Sequence, residues 1–325
     1  MIKNSPESGR GGWTQLSRYR QEPDKAPRMR LQPRDGEIIS AVHKYRLITT
    51  EGILKLFAPG GRGDKALRRR LALLFHHHFL IRRYLYPLDR PLGLGSSKAV
   101  YLLDTEGARH LWGDNWWRGG EGKKLERRKE YGYQFRKHAL SISEFQLALD
   151  LALKEREGCS LESFAADVED TRAKIQVRIP RYSVRKNVPD RKGGGEQVTV
   201  WPDAAFTIIT PAARQFYFLE VDHADRKEER IFKRFLAYWQ YVVMERDRLR
   251  QKRGVSGAFV IFASPDAKRR KTLIEIASRV PEIRRRRPGF WFLNLEDCSL
   301  LDPSRLLKEF IVLGLDGNPG LLTKF

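Results

Sequence analysis

The chain has 325 residues and a mass of 37.8 kDa, and its 62 Lys and Arg against 40 Asp and Glu give a formal net charge of +22. Hydrophobic residues make up 41%, which excludes a wholly disordered basic protein and, at this length, predicts two folded domains. No apolar stretch approaches the roughly 18 residues of a membrane span, and Cys159 and Cys298 are too few for a disulfide scaffold or a zinc finger. We therefore expect a cytoplasmic protein without membrane contact, and the charge excess favours nucleic acid as its partner.

Residues 1–33 are rich in Arg, Lys, Pro and Gly and show no apolar periodicity. This composition predicts a flexible basic arm. It leaves two roles open, a clamp on phosphates and a solvated tail.

Residues 34–113 show the pattern of a small helical domain with two strands. Two short helices, the second starting at Thr49-Thr with a threonine placed to cap it, precede a third that carries Leu67, Leu71 and Leu74 on one stripe. Two strand-like runs follow at 80–87 and 99–104, joined by a Gly-rich loop, and a last helix starts at 105. His76, His77 and His78 end the third helix, a position that predicts closure of that helix over the strands rather than a metal site.

This order of elements resembles a winged helix-turn-helix domain. The resemblance implies that the third helix enters the major groove of DNA and that the two strands contact the backbone or the minor groove. Arg68, Arg69 and Arg70 on that helix are the residue type that phosphate positioning and guanine recognition require. A winged domain used for protein contacts is the alternative, and the three consecutive arginines favour DNA.

The rest of the chain predicts a linker at 114–136, a second domain at 137–300 and a C-terminal tail at 301–325. The second domain begins with a helix near 140–156, followed by strand-like runs near 174–180, 197–209 and 215–222, a long helix at 227–252 and a buried strand from Ala258. A further helix and strand close the unit. The order predicts a mixed sheet flanked by helices.

Three acidic residues in this domain carry the candidate chemistry. Asp203 follows Pro202, and Glu220 and Asp222 alternate with apolar residues on the next strand, so a hairpin would bring the three side by side. Carboxylates on one face of an apolar strand are costly to bury without a cation. Asp203, Glu220 and Asp222 are therefore candidate ligands for Mg²⁺ or Mn²⁺.

This pattern resembles the PD-(D/E)XK nuclease superfamily, whose core has the order α-β-β-β-α-β. The resemblance implies metal-dependent cleavage of phosphodiesters, but the family expects lysine where this chain has Asp222. Some branches carry the basic residue on the following helix, where Lys233 and Arg234 lie. We assign the role to Lys233 because a lysine can shift its pKa, and Arg234 stays as the alternative.

A closer resemblance, over about residues 34–300, is to the replication-relaxation proteins of plasmids and other mobile elements. It rests on the motifs Arg-Arg-Arg-Leu-x-x-Leu from Arg68, Tyr-Leu-Leu-Asp-Thr-Glu-Gly at 101–107, His138-x-Leu, Pro202-Asp203, and Leu219-Glu-Val-Asp with the basic helix that follows. The resemblance implies sequence-guided DNA binding by the first domain and metal-dependent nicking by the second. It also implies that His138 and Glu144, on the preceding helix, border the site.

The leading hypothesis is a DNA-processing protein that binds an origin-like duplex and nicks one strand with Mg²⁺ or Mn²⁺, acting with other plasmid-processing proteins. The alternative is a non-catalytic replication initiator, regulator or accessory protein with a degenerate nuclease fold. The absence of the motif lysine, where this chain has Asp222, favours this alternative. A restriction nuclease with the same chemistry is a third reading.

Overall fold

The computed structural model describes residues 16–85, 98–166, 174–180, 182–183, 188–189, 195–223, 226–280, 289–297, 300–307 and 311–312. The chain has a mixed α/β architecture and divides into two compact units, residues 1–137 and 138–325. Among the described helices, none is long and apolar enough to cross a membrane.

The first unit combines helices with a small antiparallel sheet. Its strands have the order β1-β3-β2. Its elements are α1 (Pro33–Tyr45), β1 (Ile48–Thr49), α2 (Thr50–Phe57), α3 (Asp64–His76), β2 (Leu80–Leu85), β3 (Lys98–Leu103), α4 (Thr105–Trp112) and α5 (Gly120–Lys129). The Gly-rich loop predicted between β2 and β3 lies outside the described residues.

Local signals in the sequence account for these boundaries. The Thr49 side chain accepts a hydrogen bond from the Gly52 N–H at 3.0 Å, as predicted for the cap of α2. The predicted apolar stripe of α3 is fully buried. Gly107 of α4 is required by a close approach, because a Cβ there would lie 2.3 Å from the Phe79 carbonyl oxygen. This contact packs α4 against the connection between α3 and β2.

Two segments differ from the sequence-based expectation. Residues 17–30, part of the predicted flexible arm, hydrogen-bond to the first unit at several points, among them Gln21 to Asp104 at 2.8 Å. The predicted linker at 114–136 contains a 3-10 turn and α5, whose Leu125 is buried. Both segments therefore belong to the first unit; residues 1–15 lie outside the described part of the chain.

The second unit contains a six-stranded mixed sheet between two layers. Its strands are β4 (Ser160–Ala166), β5 (Ile175–Pro180), β6 (Tyr182–Ser183), β7 (Val188–Pro189), β8 (Gly195–Val200), β9 (Ala204–Ile209), β10 (Arg214–Val221), β11 (Gly257–Ser264), β12 (Phe290–Asn294) and β13 (Ile311–Val312). Its helices are α6 (Tyr133–Lys154), which starts within the first unit, α7 (Glu228–Trp239), α8 (Arg246–Arg253) and α9 (Ala267–Ser278).

The main sheet has the order β13-β12-β11-β10-β9-β4, with β10, β11 and β12 parallel and the other pairs antiparallel. Tyr217, Leu219 and Val221 of β10 pack in one cluster with α6. Phe216 and Phe218, on the opposite face, pack in the other cluster with α7 and α9. This alternation confirms that Glu220 and Asp222 share one face of β10.

The predicted order α-β-β-β-α-β holds for the main sheet, but with a different first strand. The run at 174–180 pairs with β8 in a separate two-stranded sheet, and β4 takes its place beside β9. The predicted strand at 197–209 is split around Pro202, and the predicted helix at 227–252 is interrupted by a π-helical turn at 240–244. The predicted tail contributes buried Leu306 and Leu307 to the core.

Candidate functional site

Asp203 lies immediately before β9 and is fixed to β10 by its backbone and its side chain. The turn at 210–213 closes the predicted hairpin, and the register pairs Ala204 with Leu219. The Asp203 N–H donates to the Leu219 carbonyl at 2.9 Å, and Asp203 Oδ2 accepts from the Val221 N–H at 2.7 Å. The carboxylate is therefore held at the end of the hairpin, beside Glu220.

His138 of α6 forms an ion pair with Asp203. Its Nε2–H donates to Asp203 Oδ1 at 3.1 Å, and its side chain is 26% exposed. Burial lowers the pKa of His138, but the hydrogen bond and charge of Asp203 outweigh burial, and the net pKa is raised. Burial raises the pKa of Asp203, but His138, Arg226 and the Val221 N–H together lower it more, so the net pKa falls. Each residue therefore favours the charged form of the other, a carboxylate beside an imidazolium.

A second pair of side chains lies next to these residues. The Ser141 hydroxyl is 3.4 Å from His223 Nε2. The His223 ring lies edge-on to that of His138, with centroids 5.5 Å apart. His138, which the family resemblance places at the border of this site, is therefore brought to Asp203. Glu144, half-buried six residues further along α6, keeps its role as a prediction.

Glu220 is fully buried in a network of donors. Its Oε1 accepts hydrogen bonds from the Arg234 guanidinium and the Tyr238 hydroxyl, and its Oε2 accepts from Arg226 Nη1 at 3.2 Å. Arg234 also donates to the Trp201 carbonyl at 3.1 Å. Burial raises the pKa of Glu220 against the opposing effect of Arg234 and Arg226. Two guanidiniums thus take the position beside this acid that a metal ion was predicted to fill.

Asp222 is held by a different helix. It is 2% exposed, and its Oδ2 accepts from Arg269 Nε of α9 at 2.5 Å. The Asp222 N–H donates to the Ala263 carbonyl at 2.9 Å, which continues the ladder between β10 and β11. Asp222 therefore points at α9, whereas Glu220 points at α7.

Lys233, the lysine assigned to the site from the sequence, lies elsewhere. Its Nζ is 2.8 Å from Glu196 Oε1 and 3.3 Å from Glu229 Oε1, and a third of its side chain is exposed. The adjacent Arg234 takes the place at Glu220. Successive helical residues are about 100° apart, so these neighbours cannot both face the sheet.

The described acids do not fit a divalent cation in this arrangement. A metal of this kind binds oxygen atoms with available lone pairs. Arginines, which stay charged at any relevant pH, already bind both oxygens of Glu220 and Oδ2 of Asp222, while Asp222 Oδ1 is buried without a hydrogen-bond partner. No group of three or more His, Cys, Asp or Glu within the described ranges is placed to hold a metal. The three carboxylates form ion pairs with four basic residues instead.

The three arginines of α3 separate into two kinds. Arg68 and Arg69 are exposed. Arg70 instead donates to both carboxylate oxygens of Asp35, which is fully buried on α1, and to the Arg30 carbonyl at 2.6 Å. Arg70 thus has a structural role, and its assignment as a DNA contact stays a prediction.

Three site residues were not predicted from the sequence in their roles. Tyr238 lies four residues after Arg234, so the helical repeat could have placed both on one face of α7. Arg226 and Arg269 had no such signal, because their contacts with Glu220 and Asp222 depend on how α7 and α9 dock on the sheet.

The positive charge is concentrated in the first unit. Residues 1–137 hold 29 Lys and Arg but 14 Asp and Glu, a formal excess of 15, while residues 138–325 carry the remaining excess of 7. A polyanion would therefore be attracted mainly to the first unit.

Comparison with known proteins agrees with the resemblance found in the motifs. The sequence model of the replication-relaxation family matches residues 39–256, about two thirds of the chain. The match runs from α1 to the residues before β11 and includes Asp203, Glu220 and Arg234. No curated protein and no solved structure matches the chain. The chain belongs to the replication-relaxation family.

Proposed function

We propose that the protein binds duplex DNA through its first unit during replication or relaxation of a plasmid or other mobile element. Family membership supports the setting. The order α1-β1-α2-α3-β2-β3-α4 supports a winged helix-turn-helix domain in which α3 is the reading helix. The observation that carries the proposal is the excess of 15 positive charges in this unit, together with exposed Arg68 and Arg69 on α3.

Duplex binding is tested by fluorescence anisotropy with the full chain and a labelled duplex of about 30 base pairs over a series of salt concentrations. We expect log K to fall linearly with log salt. The double variant Arg68→Ala/Arg69→Ala should bind more weakly and with a salt slope smaller by about 2. Wild-type affinity in this variant would remove α3 from the interface.

For the second unit we propose a non-catalytic role, as a nuclease-like scaffold whose acids are paired with three arginines and a histidine. The main sheet and its flanking helices support a PD-(D/E)XK-like core. Burial of Glu220 against Arg226 and Arg234 supports the loss of its metal site. A role as replication initiator or accessory protein is consistent with a core that keeps this architecture without cutting.

Metal-dependent nicking by Mg²⁺ or Mn²⁺ is the second candidate. The specific observation in its favour is that Asp203 and Glu220 meet at the end of one hairpin, with partly exposed His138 beside them. Incubation of supercoiled plasmid with the protein and either metal distinguishes nicking from the non-catalytic role. We expect no open-circular product. Metal-dependent nicking that is lost in Asp203→Ala would establish that the protein is a nicking enzyme.

A further inference from the structure

Residues 17–30, here called the strap, lie along the surface of the first unit. The strap begins on β2, where Arg82 Nε donates to the Arg18 carbonyl at 3.1 Å. The rings of Tyr19 and Tyr84 lie next to each other there, with centroids 5.2 Å apart. The start of the strap is therefore fixed to the strand that precedes the hairpin loop.

The middle of the strap is fixed at the end of α3. Gln21 Nε2 donates to Asp104 Oδ2 at 2.8 Å and to the Leu80 carbonyl at 3.2 Å. The Glu22 N–H donates to His76 Nδ1 at 3.1 Å. These bonds connect the strap to three elements of the unit, α3, β2 and the cap of α4.

The end of the strap returns along α3. His77 Nε2 lies 3.0 Å from the Pro27 carbonyl, and Arg70 Nη2 donates to the Arg30 carbonyl at 2.6 Å. The strap thus connects β2 with the helix that also carries Arg69. These are the two elements expected to face DNA in a winged domain.

The anchoring contacts leave a row of basic side chains on the outer surface of the strap. The contacts to Arg18 and Arg30 are made through their carbonyl groups. The side chains of Arg18, Arg20 and Arg28 lie on exposed residues, and Tyr19 between them is 63% exposed. Basic residues with an intervening aromatic ring are typical of surfaces that bind a nucleic-acid backbone.

We propose that the strap is a preorganised second contact for the sugar-phosphate backbone of the duplex that α3 binds, made by Arg18, Arg20 and Arg28. This inference rests on the proposed function. A basic arm that is already docked loses less conformational entropy on binding than a free arm would. The strap therefore adds affinity through position as well as through charge.

One anchor of the strap depends on a neutral histidine. His76 is 1% exposed and accepts through Nδ1, so a proton on that atom would face the Glu22 N–H. Burial lowers the pKa of His76, Arg82 and His77 lower it further, and Glu22 opposes them. The strap is therefore docked at neutral pH and loses this anchor in acid.

The test compares three double variants of the full chain in the anisotropy assay. Arg18→Ala/Arg20→Ala removes the strap charges, Arg68→Ala/Arg69→Ala removes those of α3, and Arg248→Ala/Lys252→Ala removes two exposed charges of the second unit. We expect the strap variant to bind about 3- to 30-fold more weakly, with a salt slope smaller by about 2. The second-unit variant should change affinity by less than about twofold.

The outcomes separate the two proposals. Wild-type affinity in the strap variant, with weakened binding in the α3 variant, would overturn the strap contact and leave the proposed function intact. Absence of duplex binding by the wild-type chain would overturn both. Since the strap substitutions lie on exposed residues, an unchanged thermal midpoint verifies that the variant is folded.

Discussion

Arg234 and Glu220 form a buried ion pair in which Tyr238 shares the same carboxylate oxygen. Glu220 is fully buried and 12% of the Arg234 side chain is exposed. Without Arg234, Glu220 would keep only Arg226 and Tyr238 as partners, and breaking a buried ion pair typically costs about 3–5 kcal/mol. The pair therefore makes Glu220 compatible with its place in the sheet.

Substitution of Arg234 by methionine should destabilise the protein by about 3–5 kcal/mol, measured by urea denaturation. Lys233→Met is the matched control, because its partly exposed pairs should contribute about 0–1 kcal/mol. Adding Glu220→Gln to Arg234→Met should recover part of the loss, since the buried charge is then removed. Equal stability of the two methionine variants would contradict the ion-pair account.

The corresponding pair in the first unit is Arg70 with Asp35. Because Asp35 is fully buried, Arg70→Met should lower the free energy of unfolding by about 3–5 kcal/mol. Arg69→Met, on the exposed face of the same helix, should change it by no more than about 0.5 kcal/mol. DNA affinity, measured on the folded fraction, should be reduced in Arg69→Met and stay near that of the wild type in Arg70→Met. A stable Arg70 variant with lost DNA binding would restore Arg70 to the interface.

The His138–Asp203 pair should make stability depend on pH in two directions. The pKa of His138 is raised above its ordinary value of 6.5, so its contribution is complete below 6.5 and is lost as pH rises through the higher folded-state pKa. The pKa of Asp203 is lowered from 3.8, so its contribution is present above 3.8 and is lost as pH falls through the lower value.

The measurement is the NMR titration of His138, with Asp203→Asn as the comparison. We expect the pKa of His138 to lie above 6.5 in the wild type and to fall in the variant, where burial acts without the carboxylate. A His138 pKa that does not change on this substitution would rule out the ion pair.

Acid should release the strap at His76. We expect the Glu22 amide to lose protection from hydrogen exchange as pH falls below about 6.5, the ordinary pKa of histidine. In His76→Asn the side-chain oxygen can accept the same hydrogen bond and cannot be protonated, so protection should persist. Protection in the wild type that is independent of pH would exclude a proton-dependent anchor.

Patterns that depend on short stretches of sequence predicted the elements well. The stripe of Leu67, Leu71 and Leu74 and the alternation around Glu220 follow from the repeats of helix and strand, and both are buried as predicted. Ser160–Ala166 was missed because its residues are mainly small, polar and half-exposed, with a bulge near Leu161.

The site was predicted in part. Asp203 and Glu220 come together because a short hairpin determines their register, and His138 reaches Asp203. The choice between Lys233 and Arg234 depended on the phase of α7, which the sequence alone did not fix. The partners Arg226 and Arg269 depend on tertiary docking, which leaves no periodic signal in the sequence.

Arginines paired with Glu220 and Asp222 should leave no room for a divalent cation at these acids, and calorimetric titration of the full chain with Mn²⁺ measures this. We expect no saturable uptake of Mn²⁺ that depends on Glu220, so the wild type and Glu220→Gln should give the same heats. Uptake of one Mn²⁺ per chain that disappears in Glu220→Gln would contradict it.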